Sequence, residues 1–273
     1  MRRWVLAAMM VGTAHGAMAA DMPDLPVLRG FVNDAPRART TWEGFYVGGQ
    51  GAYGSSEMDF TNATRDLTAK LLNRTTIENE MQVSQWPVLG KVTIHGHAIG
   101  AFAGWNAQWD DAVIGLEANY LHGTFGGTST GSMERFQNLS DGYTHDVTNT
   151  GRASININDM GTIRVRGGWA WNCLLPYGYA GLAIGLADVN RVTTIHDHFV
   201  NPNALPGFQD LTFIASASAP QTNHIIYGYV FGAGMDVMLI GGLFARGEFE
   251  FTKFVGSVNT SVSSGRVGVG YKF

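Results

Sequence analysis

The sequence predicts an all-β protein: an eight-stranded antiparallel up-and-down transmembrane β-barrel with short periplasmic turns and long outer loops. Three observations carry that expectation. Glycine is abundant, 36 in 273 residues, where average usage of about 7% gives roughly 19, and it accompanies 7 Trp, 9 Tyr and 15 Phe. Eight segments alternate apolar with small or polar residues, at lengths that cross a bilayer as tilted strands. The connections between them alternate short and long, as in a barrel whose turns face one compartment and whose loops face the other.

The chain starts with an export signal. Residues 1–20, MRRWVLAAMMVGTAHGAMAA, open on Arg2 and Arg3, run through an apolar stretch and end near the small-residue triplet Ala17-Met18-Ala19. This reads as a signal peptide cut after Ala19 or Ala20. Losing Arg2 and Arg3 takes the formal charge from −4 to about −6. Residues 21–41 hold three prolines and no periodicity, so they read as an extended periplasmic linker, and 42–273 as the outer-membrane barrel. No later segment has 18 uninterrupted apolar residues, so no spanning helix is expected. The acidic balance and the lack of a basic stripe exclude nucleic acid as a partner. The aromatic content excludes disorder, and the glycines lack the three-residue period of collagen. Cys173 has no partner in its own chain and reads as a small apolar residue near a turn.

The predicted strands are 43–54, 96–108, 112–125, 157–171, 176–189, 224–238, 243–254 and 261–273. Tight turns at 109–111, 172–175 and 239–242 join strands 2/3, 4/5 and 6/7. Roughly 30–40 residues separate strands 1/2, 3/4 and 5/6, while 7/8 is short. Within the 1/2 connection, Leu67, Leu71 and Leu72 stand near helical spacing, which predicts a short amphipathic helix over 64–79 that rests on the outer leaflet or caps the barrel.

Period-two faces separate a membrane barrel from a soluble sandwich. One face carries Ile114, Leu116 and Tyr120; Ile163, Val165 and Trp169; Tyr227, Tyr229 and Phe231; Phe249 and Phe251; and Val267, Val269, Tyr271 and Phe273. The opposite face is mostly glycine with a small charged set: Glu117, Arg164, Arg166, Asp236, Arg246, Glu248, Glu250, Arg266 and Lys272. Glycine with near-balanced charge suits a narrow interior in which the charges must pair. A plugged, salt-bridged lumen is therefore expected rather than a large pore. Phe45, Trp105, Trp109, Trp169, Trp171 and Phe273 fall at the periplasmic strand ends, and Tyr53, Tyr120, Tyr227 and Phe254 nearer the outer ends. Together they read as an aromatic girdle.

The segments DLPVLRG (24–30) and Trp42-Glu43-Gly44-Phe45-Tyr46-Val47-Gly48-Gly49, with the ending Val267-Gly268-Val269-Gly270-Tyr271-Lys272-Phe273, resemble the small outer-membrane immunogenic proteins of alphaproteobacteria. These are porin-like barrels of the OmpA type, some of which bind hemin. The resemblance implies that Tyr271 and Phe273 form the signal read by the barrel-assembly machinery. It also implies outer-membrane lipid and lipopolysaccharide as surroundings.

Two further chemistries have candidate residues in the sequence. His95/His97 and His196/His198 are spaced i, i+2, which sets each pair on one face of a strand. Imidazole pairs bind Zn, Cu or haem iron, so hemin or metal capture stands as an alternative, against ordinary loop histidines with no Cys or HExxH pattern beside them. A rim enzyme would need Ser140 with a histidine and Asp141, Asp146 or Asp197; no nucleophile elbow is present, so no enzyme and no resident cofactor are expected. The reading is a structural outer-membrane barrel that presents surface loops, with a narrow passive porin or a surface hemin/metal-binding protein as the alternatives. The sequence sets no oligomeric state.

Overall fold

The computed structural model describes residues 41–201 and 210–273; the expected signal peptide and almost all of the linker lie outside them. Eight strands form one closed ring in chain order: β1 (Gly44–Asp59), β2 (Lys91–Trp109), β3 (Ala112–Asn138), β4 (Thr144–Trp169), β5 (Leu174–Val200), β6 (Asp210–Met238), β7 (Leu243–Val255) and β8 (Asn259–Lys272). Each strand runs antiparallel to its neighbours, and β1 closes on β8 from Tyr46↔Lys272 to Asp59↔Asn259.

Three tight turns close one end of the barrel. Their residues adopt left-handed backbone: Asp110 between β2 and β3, Asn172 between β4 and β5, Gly241 and Gly242 between β6 and β7. Asn, Asp and Gly reach that region at least cost. The chain enters and leaves at this same end, which is called the turn end below.

At the other, loop end the strands overshoot a bilayer. β2 pairs with β3 only as far as His97↔Thr124, and β6 pairs with β7 only as far as Tyr227↔Val255. The register β3–β4–β5–β6 continues to Asn138↔Thr144 and Val200↔Asp210. A four-stranded arm therefore stands beyond the ring. The 3/4 and 5/6 connections expected as long loops are largely these strands. Their low hydropathy disguised them, because a strand that leaves the membrane no longer needs a lipid-facing side.

Register shifts mark where the arm departs: at His122/Phe125, Ile157/Asp159 and Ala187/Val189. A bulge adds one residue and so reverses which parity faces inward. In β4 the inward residues are Ile155 and Ile157 above the bulge and Met160, Thr162, Arg164 and Arg166 below it.

The 1/2 connection carries two short helices, α1 (Arg65–Leu71) and α2 (Thr76–Met81), where one was expected. Leu72 ends the first helix and Thr75 caps the second, its hydroxyl accepting from the Glu78 amide. Leu72, Ile77, Met81, Val83 and Trp86 from this connection pack against Leu139, Val147 and Ile195 of the arm. The apolar side of the cap thus faces the arm's inner side rather than lipid.

Candidate functional site

The barrel interior is built in layers. Nearest the turn end, Trp42, Val113, Leu175, Phe244 and their neighbours form an apolar floor. Nearer the loop end, Phe60, Phe125, Ile157, Phe254 and Val262 belong to a second apolar layer. The charged residues lie between the two.

Eight of the nine expected lumen charges meet there. Arg164, from β4, is fully enclosed. Its Nη2 lies 2.5 Å from Glu117 Oε1 and 2.6 Å from Glu248 Oε1, and its Nη1 3.0 Å from Glu250 Oε2, so one guanidinium ties β3 to β7 across the bore. Arg246 binds Asp236 through two bonds, Nε to Oδ1 at 2.8 Å and Nη2 to Oδ2 at 3.0 Å, and also reaches Glu117 Oε2 at 2.8 Å. Arg166 joins Asp236 at 2.8 Å and Glu117 at 3.3 Å. Arg266 bonds to Glu250. Four arginines face four carboxylates, so the cluster has no net charge and each ion has its counter-ion in contact, as burial requires.

Lys272 stands apart from the cluster. It shares the inward parity of β8, but its ammonium donates to the carbonyl of Glu43 at the turn-end rim. One step from the end of the barrel, a lysine reaches water more cheaply than it reaches the centre.

Tyrosines complete the cluster. Tyr46 donates to Glu117 at 2.7 Å and Tyr177 to Glu248 at 2.6 Å, and the Arg164 and Arg166 guanidinium carbons lie 3.9 and 4.0 Å from the ring centres of Tyr179 and Tyr177. Each ring lies over a glycine directly across the ladder: Tyr46 over Gly104, Tyr177 over Gly234 and Tyr179 over Gly232. A Cβ on Gly104 would sit 2.3 Å from the Tyr46 hydroxyl, and one on Gly232 2.5 Å from the Tyr179 hydroxyl. Phe102 over Gly48 and Phe244 over Gly270 repeat the arrangement. The glycine-rich inner face thus supplies the space that aromatic rings from the next strand occupy. Cross-strand pairing of Gly with Tyr or Phe is the signal in the sequence that would have found these rings.

On the outer face, the turn-end aromatics Phe45, Trp105, Trp109, Trp169, Trp171 and Phe273 are exposed, as are Tyr53, Tyr120 and Tyr227 toward the loop end. Phe254 departs from the expected girdle: it has the even parity of Arg246 and Glu248 and lies inside, 1% exposed.

The candidate histidine ligands do not converge. His95 and His97 lie on the outer face of β2, with His95 stacked on Tyr53, while His196 and His198 lie on β5, across from Thr148 and Asp146 of β4. Among the described residues no three His, Cys, Asp or Glu side chains come together to hold a metal. Among the described histidines, His145 is the buried one. Its Nδ1 is 2.8 Å from Asp197 and its Nε2 3.1 Å from Asp141, with Phe199 stacked on its ring at 5.0 Å. Burial raises the Asp197 carboxyl above its ordinary value, with Asp141 and Asp146 adding to the rise and His145 opposing it. Ser140 bonds instead to Glu80, so among the described residues no hydroxyl is paired with His145 as a nucleophile would be.

Comparison with known proteins places the chain. No family model matches it. It is 25% identical over 174 residues to a 25 kDa outer-membrane immunogenic protein of Brucella ovis, covering 64% of this chain and 62% of that protein. It is 24% identical over 231 residues to a 22 kDa outer membrane protein of Rhizobium leguminosarum bv. viciae, covering 85% of this chain and 72% of the relative. The chain thus spans less than two thirds of the Brucella ovis protein's length. Solved structures that align with it include Ail, the attachment invasion locus protein of Yersinia pestis, at 12% identity and a TM-score of 0.34 over 85% of this chain and 99% of that one. Neisserial surface protein A aligns at 12% identity and a TM-score of 0.32, over 84% and 97%.

The closed ring of eight strands, apolar outward and polar inward, makes this an outer-membrane β-barrel protein. Among such barrels, its sequence relatives are the outer-membrane immunogenic proteins of Brucella and the related Rhizobium protein, as its resemblance at the first and last strands implied.

Proposed function

We propose that this protein is a non-enzymatic structural barrel with a closed lumen, and that its work is done by the arm and cap it holds outside the membrane. The observation that carries this reading is Arg164, bonded to Glu117, Glu248 and Glu250 at once with no exposed side-chain surface. An ion crossing the bore would have to part bonds among at least three strands, between apolar layers that offer it no ligands. In this reading the turn end, where β1 begins and β8 ends, faces the periplasm, the arm faces outward, and Tyr271 and Phe273 serve the assembly machinery. The test is conductance of the refolded barrel in a planar bilayer. Closed-lumen barrels give no stable steps in a sample whose heat-modifiable gel mobility shows it folded; regular steps make the protein a passive porin.

A further inference from the structure

We propose that the loop end carries a binding site for an acidic sugar, a ring with hydroxyls and a single carboxylate or phosphate group. The site is an open cleft of about 450 Å³ between α1, the segment after α2 and β5, a volume within the range of small-ligand sites. It is independent of whether the lumen conducts.

Arg191 is the observation that points to a ligand. It lines the cleft, yet it is a buried residue, 8% exposed. Its Nη1 donates to the carbonyl of Ala63 at 2.9 Å and to Asp66 at 2.8 Å. Its Nε is buried with no acceptor, and its Nη2 has no hydrogen bond with any described residue. A guanidinium has five N–H groups in a fixed fork; the Nε is enclosed by protein, so the Nη2 is the donor left for an acceptor in the cleft. Packing alone does not call for an arginine here, because its charge is met by Asp66 while much of the fork has nothing to bind.

The rest of the wall indicates which acceptor fits. Arg65 lines the same cleft, is exposed and makes no ion pair with a described residue. With Arg191 balanced by Asp66, Arg65 leaves one positive charge, which suits a ligand with a single anionic group. Asn62 and Gln85 contribute amides that both donate and accept, and Ser84, whose hydroxyl donates to Glu78 at 2.5 Å and accepts from the Gln85 amide at 3.5 Å, keeps one lone pair for a ligand hydroxyl. The lining combines amides, the hydroxyls of Ser84 and Ser257, guanidinium groups and the Asp66 carboxylate with apolar surface that includes the Ala69 methyl, so a sugar ring, which carries both hydroxyls and C–H faces, matches it better than a purely apolar molecule does. Either the sugars of the surrounding lipopolysaccharide or a soluble glycan supplies such a group.

The test is calorimetric titration of the full refolded barrel, in detergent free of lipopolysaccharide, with glucuronic acid, glucose 6-phosphate and glucose. Saturable binding of an acidic sugar is expected, with glucose silent. Arg65→Ala and Arg191→Gln should each weaken it about tenfold. Arg65→Ala removes an exposed, unpaired side chain, so its gel mobility should stay that of the folded barrel. Absence of saturable binding by both acidic sugars, equal binding of glucose, or wild-type affinity in Arg65→Ala would overturn the proposal. Displacement of the bound acid by purified lipopolysaccharide assigns the site to the protein's own membrane; failure of displacement assigns it to a soluble glycan.

Discussion

Arg164 shows how much of this barrel rests on single side chains. Replacing it with Met keeps the volume but leaves Glu117, Glu248 and Glu250 facing one another with one cation fewer. Breaking a buried ion network by removing one partner costs about 3–5 kcal/mol, so Arg164→Met should lower the urea midpoint of the refolded barrel, read by the loss of heat-modifiable mobility. Gly104 is the steric counterpart. Its Cβ would meet both the Tyr46 hydroxyl at 2.3 Å and the carbonyl of Leu116 at 2.8 Å. The hydroxyl is the end of a ring held against Glu117 and the carbonyl is backbone, so neither yields cheaply. Gly104→Ala should cost about 1–3 kcal/mol, whereas the same change at Gly167, where a Cβ would meet no atom within 4 Å, should leave the midpoint nearly unmoved.

The arm and cap behave as one element outside the membrane, joined through Leu72, Ile77, Met81 and Trp86 against Val147 and Ile195. Asp197 and His145 tie β4 to β5 near its tip. Because Asp197 holds its proton more tightly in the folded chain than an unfolded aspartate does, its contribution runs opposite to that of a salt-bridged carboxylate. The arm's stability is fully present below the unfolded value and declines as pH rises through the folded one. Amide hydrogen exchange of β4 and β5 beyond the bulge, followed from about pH 4 to 6, should show protection falling. Asp197→Asn should flatten that slope while the neighbouring carboxylates Glu134, Asp141 and Asp146 stay in place. An unchanged slope in Asp197→Asn would assign the dependence to those neighbours.

For the whole molecule, the outward side is a continuous apolar surface bounded by aromatics, and Tyr271 and Phe273 sit edge to face, 5.2 Å apart, at the seam where the last strand meets the first. The Phe273 amide donates to the carbonyl of Phe45 at 2.9 Å, but its ring is exposed and makes little contribution to the barrel itself. Phe273→Ala should therefore refold in detergent with a midpoint within about 0.5 kcal/mol of the parent while accumulating poorly in the outer membrane of living cells. Normal accumulation would remove the assembly role from this residue.

The eight strands, their order, the three tight turns and the outward face were legible in the sequence, because a strand in lipid must alternate apolar with small or polar residues and any one-residue slip inverts it. The same alternation placed Arg164, Arg166, Arg246 and Glu248 on one face. It did not extend past the membrane: the strands of the arm obey no lipid constraint, and the bulge after Ile157 reverses parity without a mark in the pattern. Nor did it show which inward side chains meet. Lys272 shares the parity of Arg266 yet bonds at the rim, and Phe254 turns inward although it lies among girdle candidates. Tyr46, Tyr177 and Tyr179 enter the charge cluster only because glycines on neighbouring strands fall opposite them, and Arg191 meets Asp66 125 residues away. Periodicity along one strand determines which way a side chain points. Its partner depends on the register between strands and on closure of the ring, which only the tertiary structure decides.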